Sequence, residues 1–163
     1  MISTLILSTA MAGTIPAPMS IPAGHPYLLV KHLHAIDNLD KGDMFGKNRA
    51  DFFALVTVNG KTYKTEIMSK GDGAPMWKIP MDGSTRYSNV HIALMDDDGG
   101  LEGKDDHVDI NPRKNHKDLM FTFDRRTGMI SGGLSGKLNE SFHSTGGGDD
   151  DKGEITFTIT KRW

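Results

Sequence analysis

The chain has 163 residues, 37% of them hydrophobic and 25% charged, with a formal net charge of −2. That length suits one domain with a short extension and a core that needs no covalent staples. The small negative charge gives no global basic field for nucleic acid. With no cysteine, disulfides, zinc–thiolate sites and thiol chemistry are excluded.

Residues 1–26 read as a signal-like or extended N-terminal segment, and 27–163 as the folded domain. Ile2 to Met11 is apolar but too short to span a bilayer. Ala10-Met11-Ala12 before Gly13 resembles a signal-peptidase site, yet no Lys or Arg precedes Lys31. Export, to a secreted or periplasmic location, and a cytoplasmic chain with an N-terminal arm both remain open. Thr14 to Pro26 carries four prolines and reads as an extended linker.

From Tyr27 onward strand signals recur. Tyr27 to Ile36 is a β-favouring run in which Leu28, Val30, His32 and His34 share one face at period two. Phe52 to Val58 is a second strand, and Asn59-Gly60 marks a type I′ hairpin returning through Lys61 to Met68. Gly71 to Pro75 is a loop. Trp77 to Met81 is a short strand whose Pro80 places it at an edge or a bulge, and Trp77 is expected in the core. Val90, Ile92 and Leu94 alternate in the next strand. Leu119 to Phe123 is another, and Met129 to Gly136 a poor, glycine-rich one. Glu154 to Lys161 alternates apolar residues with threonines. No stretch keeps a helical apolar period for ten residues, and Arg113 to Lys117 forms a turn of helix at most. Gly146 to Asp151 is a mobile loop by composition. About eight short strands joined by turns predict an all-β, antiparallel sandwich.

The aspartates are clustered. Asp37, Asp40, Asp43 and Asp51 lie between the first two strands, and Asp96, Asp97, Asp98, Asp105 and Asp106 follow the strand ending at Met95. Ca²⁺ takes about six to eight oxygens, with carboxylates offsetting its charge. If both loops sit at one end of the sandwich, their charges repel, and a divalent cation relieves the repulsion. A continuous EF-hand is excluded: counting from Asp96, the sixth position is Leu101 and the twelfth is His107. Solvated turn aspartates are the plainer alternative.

The order of these features resembles the C2 domain family of Ca²⁺-dependent membrane-targeting modules. Asp51 stands directly before the strand Phe52-Phe53-Ala54-Leu55-Val56-Thr57-Val58. A return strand Tyr63-Lys64-Thr65, a Pro75-Met76-Trp77 and an apolar strand ending in Asp96-Asp97-Asp98 follow, with another aspartate shortly after. The resemblance runs from about Tyr27 to Met120, with weaker support to Trp163. It implies Ca²⁺ ligands at Asp51, Asp96, Asp98 and Asp106, with Asp105 as the alternative to Asp106. The family's first-loop aspartate would fall at Phe45, so Asp43 or Asp40 must serve instead. His107-Val108-Asp109-Ile110 departs from the family pattern and points to a divergent member. The resemblance implies a non-enzymatic module with anionic phospholipid or a protein as partner. Met44, Phe45 and Leu101 at the loop tips suit bilayer contact, and Lys41, Lys47, Arg49 and Lys104 suit phosphate headgroups.

His32-x-His34, with His91 on another strand, could bind Zn²⁺, although packed or hydrogen-bonded strand histidines are the simpler reading. No nucleophile elbow, phosphate loop or dinucleotide fingerprint occurs. A Ca²⁺-stabilised carbohydrate-binding or adhesion domain is the alternative function, and a small metal-dependent hydrolase is a further one.

Overall fold

Alternating apolar residues bounded by glycine, asparagine and proline produce strands throughout. The computed structural model describes residues 21, 23–36, 50–97 and 105–161, and among them there is no helix. The N-terminal segment lies largely outside the described residues. In chain order the strands are β1 (Pro26–Ala35), β2 (Asp51–Val58), β3 (Lys61–Lys64), β4 (Met68–Ser69), β5 (Asp72–Gly73), β6 (Trp77–Pro80), β7 (Tyr87–Asp96), β8 (Asp106–Val108), β9 (Leu119–Asp124), β10 (Met129–Gly132), β11 (Gly136–Lys137), β12 (Ser141–Thr145) and β13 (Gly153–Lys161).

They form two antiparallel sheets. One runs β12-β13-β1, with β5 and β6 both pairing β1. The other runs β11-β10-β9-β7-β2-β3, with β4 also pairing β2 and β8 also pairing β7. The core lies between them. Leu28, Val30, Leu33, Ile155, Phe157 and Ile159 face Phe52, Val56, Ile92, Leu94, Phe121 and Phe123, all buried. Phe157 of the first sheet stacks on Phe121 of the second at 5.6 Å between ring centroids, and on Phe142 at 5.3 Å. Offset stacking of this kind adds about 0.5–1.5 kcal/mol beyond area burial.

The hairpin at Asn59-Gly60 has positive φ at both residues, 50° and 83°, as a type I′ turn requires. The return strand breaks at Thr65. There the Thr65 N–H donates to Ala54 O, and the Ala54 N–H donates to the buried Thr65 hydroxyl at 2.8 Å, so the ladder is patched by a side chain. Trp77 packs against the core from β6, as its sequence suggested. Pro80 lies opposite Tyr27 on a strand whose one pairing is with β1, the edge position that a residue without an N–H tolerates.

Three expectations change. First, the apolar phase of β1 is not uniform. A bulge lies between Val30 and His32 in its pairing with β13. The extra residue, Lys31, shifts the alternation, so Leu28, Val30, Leu33 and Ala35 point inward while His32 and His34 point to solvent. Second, the strands outnumber the eight expected, because short pieces form that carry little apolar pattern. In β12, Ser141-Phe142-His143-Ser144-Thr145, one apolar residue turns inward, and the buried Ser144 hydroxyl donates to Ile110 O at 2.7 Å.

Third, the glycine- and aspartate-rich run 146–151 is tied down. Gly146 N–H donates to Gly153 O, Gly147 N–H to Asn111 O, and Gly148 N–H to the Asp109 carboxylate at 2.7 Å. Asp109 is 3% exposed, and its other oxygen accepts the Asn111 N–H at 2.9 Å. Lys117 Nζ reaches Asp151 at 3.1 Å. The glycines are needed because the chain passes so close: a Cβ on Gly147 would lie 2.3 Å from Pro112 O, and one on Gly146 2.3 Å from Asp109 O.

Candidate cation site

β1 ends at Ala35, β2 begins at Asp51, β7 ends at Asp96 and β8 begins at Asp106. Antiparallel pairing brings the β2, β7 and β8 points to one end of the sandwich, and a backbone hydrogen bond from Ala35 to Gly71 brings the end of β1 to it. Phe52 is the partner of Asp96, and Asp96 is the partner of Asp106. The Asp51 N–H donates to Asp96 Oδ1 at 2.6 Å, and the Asp97 N–H donates to Asp51 O at 2.9 Å. Two acidic segments separated by 45 positions in the chain are thus stitched together at their feet.

Asp96 continues the inward phase of Ile92 and Leu94 and is 1% exposed. Asp106 shares its phase with the buried Val108, while its own side chain is exposed. Directly opposite residues of neighbouring strands project from the same face, with Cβ atoms about 4.5–5.5 Å apart, and like charges there are destabilising. Asp105 is exposed beside Asp106. Two further loops reach this end. The Ala35 N–H donates to Gly71 O at 2.6 Å, and the Ile36 N–H to Lys152 O at 2.9 Å, which brings the Asp149–Asp151 run close to the start of the first acidic loop.

Of the candidate ligands, Asp51, Asp96, Asp105 and Asp106 are therefore gathered at one end. Asp40, Asp43 and Asp98 lie outside the described residues, as do Met44, Phe45, Leu101, Lys41, Lys47, Arg49 and Lys104. Among the described residues no group of three or more His, Asp or Glu side chains is placed to hold a metal ion. The carboxylates of Asp51, Asp96, Asp105 and Asp106 are nevertheless the kind of oxygen donor a hard cation takes.

One constellation escaped the sequence. The Asp118 carboxylate is shared between Nε2 of His91, at 2.5 Å, and Nε2 of His107. His91 lies on β7, His107 on β8 and Asp118 just before β9, so no short spacing announces the group. Lys117 Nζ donates to His107 O at 2.6 Å. Together these contacts fix β8, and with it the strand position of Asp106, against the sheet. Asp109, which looked like a departure from the family pattern, is the buried anchor of the glycine loop.

No helix among the described residues is long and apolar enough to cross a membrane. No family model matches the chain, and no curated protein matches it. Solved structures do. A structure described as that of a C2 domain superposes with a TM-score of 0.50 at 8% identity, over 83% of this chain and 97% of that one. A C2 domain of plant extended synaptotagmin 1 gives 0.48 at 12% identity, over 88% and 97%. A chain of extended synaptotagmin 2, with an SMP domain and a pair of C2 domains, gives 0.48 at 15%, over 85% of this chain and 27% of that one. The first of these carries the fold comparison, and it agrees with the two antiparallel sheets: the chain has a divergent, C2-like all-β sandwich fold.

Proposed function

We propose that this chain is a non-enzymatic, Ca²⁺-binding C2-like module whose acidic loop end docks on anionic phospholipid once metal is bound. The observation that carries the reading is the cross-strand pair Asp96 and Asp106, two carboxylates on one face, with Asp51 hydrogen-bonded to Asp96 at 2.6 Å. A divalent ion between the loops turns this repulsion into attraction. Asp51, Asp96 and Asp106 would hold it, with Asp105 as the alternative to Asp106. Asp98 and either Asp43 or Asp40 would supply further oxygens.

Calcium would cancel the local negative charge. Lys41, Lys47, Arg49 and Lys104 could then meet phosphate, and Met44, Phe45 and Leu101 could enter the interface. The carbohydrate-binding alternative needs an exposed aromatic platform. Among the described residues Trp77 is instead packed against the core.

Sedimentation with vesicles of mixed phosphatidylserine and phosphatidylcholine tests the proposal. The protein should pellet with vesicles in about 1 mM Ca²⁺, a concentration of the order that weak extracellular sites require, and stay in the supernatant with chelator. Equal partitioning in the two conditions would contradict it.

A further inference from the structure

The bulge at Lys31 places two histidines side by side on the solvent face of β1. His32 and His34 are two positions apart on a strand, so their side chains leave the same face about 6–7 Å apart. Both are well exposed, at 50% and 45% of the side chain. They are surface imidazoles, available to an ion from solvent. Neither is taken up by the core.

A third donor stands beside them. β5 pairs β1 with Asp72 directly opposite His34. Asp72 Oδ1 lies 3.0 Å from His32 Nε2 and 3.7 Å from His34 Nδ1, and the carboxylate is 62% exposed. An ion with tetrahedral bonds of about 2.0–2.1 Å separates its donors by about 3.3–3.4 Å, and the two measured separations bracket that value. Across β1 from Asp72, Glu154 of β13 is the partner of His34. His143 Nε2 lies 3.9 Å from Glu154 Oε1, so the carboxylate on that side already has an imidazole of its own.

We infer that His32, His34 and Asp72 form an open site for an imidazole-seeking divalent transition metal, represented by Zn²⁺. Two ring nitrogens and one carboxylate oxygen would occupy three positions, and water the fourth. As they stand, the three side chains are not placed to hold an ion together. Binding would require the His34 ring, 45% exposed, to turn about its own side-chain bonds toward Asp72. This site lies on the face of the first sheet and is chemically distinct from the acidic end: imidazole suits Zn²⁺, Cu²⁺ and Ni²⁺, whereas Ca²⁺ takes oxygen.

Calorimetric titration of Zn²⁺ into the whole chain, in chelator-free buffer containing about 2 mM Ca²⁺ to occupy weak oxygen sites, tests the inference. One saturable Zn²⁺ event is expected. His32→Gln and His34→Gln should each weaken it at least about tenfold, the low end of what loss of even a supporting partner costs a metal site. The double variant should abolish it, and Asp72→Asn should weaken it. Melting curves in chelator should match wild type for all four, since these side chains are exposed. Absence of Zn²⁺ binding by wild type overturns the inference. So does unchanged binding by the double variant, or loss of binding in Asp118→Asn with retention in the double variant, which would move the site to His91 and His107.

Discussion

Asp124 illustrates how single side chains at the pole away from the acidic end are stabilised. It pairs with Tyr87 at the far end of β7. Its carboxylate meets Arg86 Nη2 at 2.8 Å and accepts the Arg126 N–H at 2.9 Å. The Arg86 hydrogen bond, with help from the Arg126 and Thr127 N–H groups, holds the Asp124 carboxyl far below the usual carboxylate range, and the same pairing raises Arg86. A depressed folded-state value stabilises the fold above the ordinary carboxylate pKa, and the contribution is lost as pH falls toward the depressed one. Asp124→Asn should therefore melt slightly below wild type at neutral pH, and the two curves should converge as the pH is lowered to about 2. The exposed Arg86 and salt screening keep the difference small. A gap that widens on acidification would contradict this account.

The same scale shows what the sequence revealed. Asp51 and Asp96 were legible because each sits where a strand starts or ends, and strand ends are visible in alternation. Asp109 was not, because its role comes from burial and from two N–H donors on loops that meet only in the fold. The Asp118 bridge was hidden for the same reason: Asp118 and its two histidine partners come from three separate segments.

Among the elements, β2, β7, β9 and β13 were readable from period-two patterns, because each has one face on the core. β1 was placed correctly as a strand, but its second half had the wrong phase. A bulge inserts one residue without leaving a compositional mark, and every later side chain changes face. β12 was missed because Phe142 alone gives it an apolar signal. The 146–151 run misled most. Its composition suits a mobile loop, but here glycine is required by close backbone approach. Gly147→Ala should thus destabilise the fold by about 1–3 kcal/mol, the usual cost of forcing atoms into a filled space. Equilibrium urea denaturation reads this directly. An unchanged midpoint would show that the loop does not make the close contacts seen at Pro112.

Across the whole molecule, topology creates the candidate site. Strands β1, β2, β7 and β8 start or stop at the same pole, so acidic segments far apart in the chain are brought together. The hydrophobic core enforces this arrangement, and the Asp51–Asp96 hydrogen bond secures it. Asp96 and Asp106 stand opposite one another at this pole, and like charges in that register are destabilising. A bound divalent cation would lower that cost in the folded state alone, and ligand binding of this kind raises the melting temperature.

The most direct measurement is thermal unfolding of wild type and Asp96→Asn, each with about 2 mM Ca²⁺, enough for a weak site, and with chelator. Asparagine keeps the oxygen that accepts the Asp51 N–H but removes the charge. Wild type should melt several degrees higher in Ca²⁺, and Asp96→Asn should lose most of that increase while its chelator curve stays close to or above wild type. A wild-type Tm that is the same in Ca²⁺ and in chelator would contradict the account.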